Sequence, residues 1–131
     1  ERLERILHPR IRQEVEARIA SAHAPYLIVV VPLLLETGAY KALVKRVLVV
    51  DCDEALQIAR ATQRSGLTGE EVRAVMSAQL SRAARLAAAD DVLSNDSDMD
   101  ALRRGAQGLH AKYLALAAQH SASTAPTSGN A

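Results

Sequence analysis

The chain of 131 residues contains no Trp and no Phe, and only three Tyr. Any core must therefore come from Leu, Val, Ile and Ala, and since Ala buries little area per residue, the composition predicts modest stability. A single cysteine, Cys52, excludes an internal disulfide framework and suits a reducing compartment, so a cytoplasmic location is expected. No uninterrupted apolar run can span a bilayer: the longest, Tyr26 to Leu35, is broken by Pro32. Charge of one sign is not in excess either, because 16 Lys and Arg stand against 15 Asp and Glu. That balance argues against nucleic acid and anionic membranes as partners and leaves anion recognition to local groups. Metal-ligand spacing is missing among His23, His110 and His120, and no general base accompanies Cys52, which reads as a small buried residue. The absence with most consequence is a Gly-rich phosphate loop, since G-x-x-x-x-G-K-[ST] occurs nowhere in the chain. No signal peptide is visible, and a start at Glu1, already in helical periodicity, predicts a fragment or a processed segment.

What is present fits one soluble domain or the larger part of one, with 49% hydrophobic and 24% charged residues. Leu3, Ile6 and Leu7 mark a helical turn, Pro9 can take a first helical position, and Ile11, Val15 and Ile19 continue an apolar stripe that ends near His23 to Pro25. Tyr26 to Val31 and Val47 to Val50 are continuous β-branched runs, the pattern of strands covered on both faces in a parallel sheet. Between them, Pro32 to Gly38 reads as a turn and Ala39 to Lys45 as a short helix. A helix capped by Cys52 or Asp53 runs to about Gln63, and Thr68-Gly-Glu-Glu71 reads as a capping box. Leu80 to Ala88 forms another helical segment, Val92-Leu93 a minimal strand, and Met99, Leu102, Ala106, Leu109, Tyr113 and Leu116 a long amphipathic helix weakened by Gly105 and Gly108. The uncharged stretch 121–131, made of Ser, Ala, Thr, Pro, Gly and Asn, is expected to be a disordered tail. Strands alternating with helices predict a parallel α/β sheet with its ligand site beyond the carboxyl ends of the strands.

Candidate chemistry falls at those strand ends. Arg82 and Arg85 are three residues apart and Arg60 and Arg64 four apart, so each pair shares a helical face. Arginine offers a permanently charged fork of donors suited to phosphoryl oxygens and to stacking on a purine; solvated surface arginines would share the same spacing. The run from Gln79 to Asn95 thus supplies two cations and then an amide, as an ATP-using kinase would for moving phosphates and for the base. Glu36 reads as a substrate or metal-shell contact or as a solvated loop carboxylate. Asp51 could orient a Mg²⁺-bound water, although a helix-start carboxylate serving backbone amides fits it better. His8 could touch a ligand or serve a helix turn.

Taken in order, the segments resemble one family, the dephospho-CoA kinases, over Leu3 to about Ala118. The matching residues are Leu3-x-x-Ile6-Leu7-His8-Pro9-x-Ile11, Pro25-Tyr26 leading to Val31-Pro32-Leu-Leu-x-Glu36, and Arg46-Val-Leu-Val-Val-Asp51. They continue through Gln57-Ile-Ala-Arg60, Arg64-x-Gly66-Leu67-Thr68, Ala78-Gln79-x-Ser-Arg82-x-x-Arg85-Leu, Ala89-Asp90-Asp91-Val92, Asn95 and Leu109-His110-x-x-Tyr113-Leu. Each motif is weak singly, whereas their order and spacing are highly specific. The resemblance implies an α/β, P-loop kinase-like parallel sheet flanked by helices, with residues 1–120 a partial kinase domain, 6–24 part of a helical substrate region and 67–88 a lid. It implies ATP with Mg²⁺ as co-substrate and dephospho-CoA as acceptor, phosphorylated on its ribose 3′-hydroxyl to give coenzyme A and ADP, the last step of coenzyme A biosynthesis. Arg82 and Arg85 match lid arginines near the phosphates, Arg60 and Asn95 match positions bordering adenine, and His8, Pro32, Leu33, Leu34 and Glu36 match the acceptor side. No residue is assigned to a metal.

Two departures from the family pattern accompany the match. Ala84 stands where the family usually carries Glu, and the family's N-terminal portion, with its phosphate loop and catalytic Asp, has no counterpart in the chain. A domain truncated in this way is expected to expose sheet edges, to be poorly stable and to be inactive alone. A non-catalytic nucleotide-binding module and another small-molecule P-loop kinase are the competing readings.

Overall fold

The computed structural model describes residues 2–31, 34–38 and 41–124. Its elements follow one another as α1 (Arg2–Ser21), α2 (Leu34–Thr37), a 3-10 turn at Lys41–Leu43, β1 (Leu48–Asp51), α3 (Glu54–Ser65), α4 (Gly69–Ser77), α5 (Arg82–Ala87), β2 (Asp91–Ser94) and α6 (Met99–Thr124). They divide into two units, one formed by Val30–Gly108 and the other by the described parts of 1–29 and 109–131.

In the first unit β1 and β2 pair in parallel, with Leu48 opposite Asp91 and Asp51 opposite Ser94. A parallel partner cannot be reached by a tight turn, so the chain crosses over through α3, α4 and α5 before returning. Alternation along the strands puts Val50 and Leu93 on one face and Val49, Asp51, Val92 and Ser94 on the other. The start of α6, up to Gly108, lies over the first face, where a Cβ built on Gly105 would come within 2.7 Å of Leu93 Cδ1. Glycine at this position therefore permits a close helix-to-sheet approach, which accounts for a residue that the sequence alone marks only as a weak point in the helix. On the other face Asp51 meets Arg82 of α5. The expected α/β arrangement of a parallel pair flanked by helices is thus present.

Local chemistry sets the helix ends. Asp53, not Cys52, caps α3, its carboxylate accepting from the Ala55 amide at 2.9 Å, and Gly66 closes the helix at φ 71°. The capping box at α4 is complete: Thr68 accepts from the Glu71 amide and Glu71 accepts from the Thr68 amide, which holds the Glu71 carboxyl below its ordinary range. Asp98 caps α6 by accepting from the Ala101 amide at 2.7 Å.

The amino ends of the strands carry their own clamp. Arg46 donates to both carboxylate oxygens of Asp91, at 2.8 and 3.2 Å, and to the carbonyl of Asp90, while Asp90 accepts from the Val47 amide at 2.7 Å. Asp91's side chain is only 2% exposed, and that guanidinium gives its buried carboxylate a charged partner. Val47 and Val72 are the buried apolar residues of a small core.

Several expectations are corrected. Tyr26 to Val31 forms no strand, and Val30 is 88% exposed. Among the described residues β1 and β2 pair only with each other, and a β-branched run becomes a strand only where a neighbour offers its hydrogen-bonding edge. Pro9 lies inside α1 instead of opening a helix, so the helix forgoes one amide bond there and continues. Leu34 and Glu36 sit on the single helical turn α2 where a non-helical turn is expected, and Gly38 follows at φ 64°. Only Lys41–Leu43 of the short helix expected over 39–45 is helical among the described residues, as a 3-10 turn. Ser121 to Thr124 belong to α6 and not to the tail, whose remainder, 125–131, lies outside the described residues, as do Pro32 and Leu33.

In the second unit, a hydrogen bond of 2.6 Å joins the Tyr26 hydroxyl to His110 Nδ1, and the Tyr26 ring meets Tyr113 edge-on at 5.4 Å between centroids. These contacts tie the Pro25-Tyr26 and Leu109-to-Leu114 motifs together.

Two stability predictions follow from the packing of the first unit. Arg46→Ala removes the guanidinium from a buried carboxylate and is expected to destabilise the chain by about 3 kcal/mol in urea titration. Gly108→Ala, where a Cβ meets nothing within 4 Å, is expected to stabilise it, whereas Gly105→Ala gains little or loses because Leu93 must move.

Candidate active site at the strand ends

The carboxyl ends of β1 and β2 are joined by a line of polar contacts. Asp51, the last residue of β1, accepts through its carbonyl from the Asn95 amide at 2.7 Å, extending the strand ladder by one bond. The Asn95 carbonyl in turn accepts from Arg60 Nη1 at 2.6 Å. On its side-chain oxygens Asp51 takes the Arg82 fork, with Nε at 2.9 and 3.2 Å and Nη2 at 2.7 Å. Asp96 accepts from the Asp53 amide and the Ser94 hydroxyl, which joins the loop after β2 to the start of α3.

Hydrogen bonding sets the electrostatics here. The Arg82 fork is the main cause that holds the Asp51 carboxyl below its ordinary value of 3.8, with Arg85's charge adding to it, and the same pairing raises the Arg82 guanidinium. The Asp53 amide, helped by Ser94, lowers Asp96 in the same way.

Two further residues brace the segment between α4 and α5. Glu36 accepts from the Leu80 amide at 3.2 Å, and Arg85 donates through Nη1 to the Leu80 carbonyl at 2.9 Å. Ser81 caps α5 by accepting from the Ala84 amide. Ala84 therefore occupies the position where a Glu would complete a capping box, so the departure from the family pattern leaves this cap half built.

Of the candidates read from sequence, Glu36, Arg60, Arg82, Arg85 and Asn95 all lie in the first unit: Arg60, Arg82 and Asn95 share the network around Asp51, Glu36 and Arg85 meet at the Leu80 backbone, and Leu34 stands two residues before Glu36 on α2. His8 lies in α1, in the other unit. Pro32 and Leu33 fall outside the described residues. Asp51 corrects the helix-start reading: Asp53 performs that service, and Asp51 binds Arg82, 31 positions along the chain. Asp96 was not singled out by sequence; its position just past Ser94-Asn95, level with the first turn of the helix after β1, is the signal that could have found it. Among the described residues no group of three or more His, Cys, Asp or Glu could hold a metal ion. The concavity along α1, lined by Arg10, Ile11, Glu14, Val15 and Arg18, is one face of a single helix and holds none of the site residues.

A family model described as dephospho-CoA kinase matches residues 1–101. A dephospho-CoA kinase of Nitrosospira multiformis is 58% identical over 116 residues, covering 88% of this chain and 58% of that protein. One from Thiobacillus denitrificans is also 58% identical over 116 residues, covering 88% of this chain and 57% of its own length. The chain thus spans a little over half the length of the curated relatives it matches. Among solved structures, that of TT1252 from Thermus thermophilus matches with a TM-score of 0.68 and 28% identity, covering 84% of this chain and 57% of that one.

Because the Asp51 carboxyl titrates lower in the folded chain than in the unfolded one, its ionised form stabilises the fold above the unfolded value. That contribution is lost as pH falls from about 3.8 through the depressed folded value. Urea midpoints of the wild type are expected to drop more steeply below pH 4 than those of Asp51→Asn, and parallel profiles would contradict the pairing.

Proposed function

We propose a function on the following ground: this chain belongs to the dephospho-CoA kinase family. Its residues serve the transfer of the γ-phosphoryl group of ATP to the ribose 3′-hydroxyl of dephospho-CoA, giving coenzyme A and ADP. The hydroxyl oxygen gives up its proton to a base outside these 131 residues and attacks the γ-phosphorus, the bond to the β–γ bridging oxygen breaks with ADP taking its electron pair, and negative charge accumulates on the phosphoryl oxygens. Arg82 and Arg85 meet that charge as fixed cations. Arg60 and Asn95 border the adenine, and His8, Pro32, Leu33, Leu34 and Glu36 border the acceptor, with 6–24 in the helical substrate region and 67–88 forming the lid. Mg²⁺ enters as part of the Mg-ATP substrate. The same proposal places the protein in the cytoplasm, with neither nucleic acid nor membrane as partner; no described helix is long and apolar enough to cross a bilayer.

One observation carries the reading: Arg82 on Asp51 and Arg60 on Asn95 stand together at the carboxyl ends of two parallel strands, where open α/β sheets bind ligands. The fold supports it as well, being α/β and similar to the solved relative.

The test is chromatographic detection of coenzyme A formed from dephospho-CoA and Mg-ATP. The 131 residues hold no phosphate loop, so transfer is expected only where they form part of a polypeptide that carries one. In such a protein Arg82→Ala is expected to lower kcat by about a hundredfold. Arg60→Ala is expected to raise the KM for ATP more than it lowers kcat. ATP binding without transfer would replace the enzyme with a nucleotide-binding module, and loss of both would remove the proposal.

A further inference from the structure

Arginine carries five N–H donors in a rigid planar fork, and which of them are engaged decides what else it can hold. Asp51 takes one edge of Arg82 through Nε and Nη2. No described residue engages Arg82 Nη1, and the side chain remains 33% exposed. Arg60 and Arg85 differ, since each gives Nη1 to a backbone carbonyl.

We propose that Asp51 is the positioning residue for Arg82: by gripping the Nε–Nη2 edge at the end of β1, it presents the Nη1 end to a phosphoryl oxygen. This rests on the reading of Arg82 as a phosphate-facing cation. The opposite role, a latch that competes with phosphate for the same donors, is disfavoured by the contacts. A competitor must occupy the donors that the ligand needs, and Asp51 leaves one end of the fork untouched. Nor is Asp51 free to withdraw: its side chain is 12% exposed, its carbonyl is tied to the Asn95 amide, and it sits on a paired strand. The neighbouring carboxylates are occupied elsewhere, Asp53 on the Ala55 amide and Asp96 on the Asp53 amide, while Arg85 adds a second positive charge beside Asp51. Fixing a long side chain before the ligand arrives removes rotamer entropy that binding would otherwise cost.

The experiment uses this chain and inorganic tripolyphosphate, without dephospho-CoA, so that it reads anion binding separately from phosphoryl transfer. In calorimetric titration Asp51→Asn is expected to weaken tripolyphosphate binding about tenfold, and adding Asp51→Asn to Arg82→Gln is expected to cost little more than Arg82→Gln alone. Arg82→Lys keeps the charge but loses the fork, and is expected to weaken binding comparably. The wild type alone supplies a further readout, independent of whether any variant folds. On adding tripolyphosphate the Arg82 Nη protons are expected to shift in nitrogen-15 spectra while the Nε proton stays protected by Asp51. No binding by the wild type, equal or tighter binding by Asp51→Asn, additive losses in the double variant, or loss of Nε protection on titration would each overturn the assignment. Coenzyme A formation judges the kinase reading by itself: it can fail while the Asp51–Arg82 coupling stands, or succeed while that coupling is absent.

Discussion

Asp51 is where the parallel ladder ends and the polar network begins, and most of the candidate site hangs on that one residue. Its backbone extends the pairing of β1 and β2 to Asn95, whose carbonyl receives Arg60, and its side chain holds Arg82. Three cationic or amide groups from α3, α5 and the loop after β2 are thereby referred to a single strand terminus. The opposite ends of the strands are fixed by the same chemistry, an arginine fork on the Asp91 carboxylate. Two such clamps on strands of four residues make up for a small apolar core, because a slip in register would break a charged pair at each end.

The two clamps nonetheless differ in kind. Asp91 is nearly sealed from water, and its ion pair closes a structural joint. Asp51 and Arg82 stand where ligands enter an open sheet, and part of Arg82 stays accessible. An identical pairing of residue types thus yields a fastener at one end of the strands and a presenting device at the other, the difference lying in burial and in the donors left over.

Much of this was legible locally in the sequence. The capping box at Thr68, the strands around Val49 and Val92, and the long helix from Met99 are decided by residues within a few positions of one another. Tyr26 to Val31 misled because strand formation is a relation to a neighbour, which a β-branched run cannot announce by itself. Asp51 misled for a related reason: a carboxylate before a helix is judged against the amides just ahead of it, whereas its partner lies in α5, beyond α3 and α4. Gly105 became intelligible only once Leu93 was found beneath it. The candidates Arg60, Arg82 and Asn95 came from family resemblance and helical spacing, but which donor meets which acceptor required the fold.

How α5 is held bears on what it can do. The helix has six residues, none of them buried, and its N-terminal cap is half complete because Ala84 supplies no carboxylate. It is kept in place by polar tethers instead: Arg82 to Asp51, and Glu36 and Arg85 to the backbone of Leu80. Tethers of this kind fix a short helix through a few directional, charge-assisted contacts, with no apolar core beneath it among the described residues. On the proposed reading the arginines that anchor α5 are the same ones that meet the phosphates, Arg82 through the Nη1 end that Asp51 leaves open.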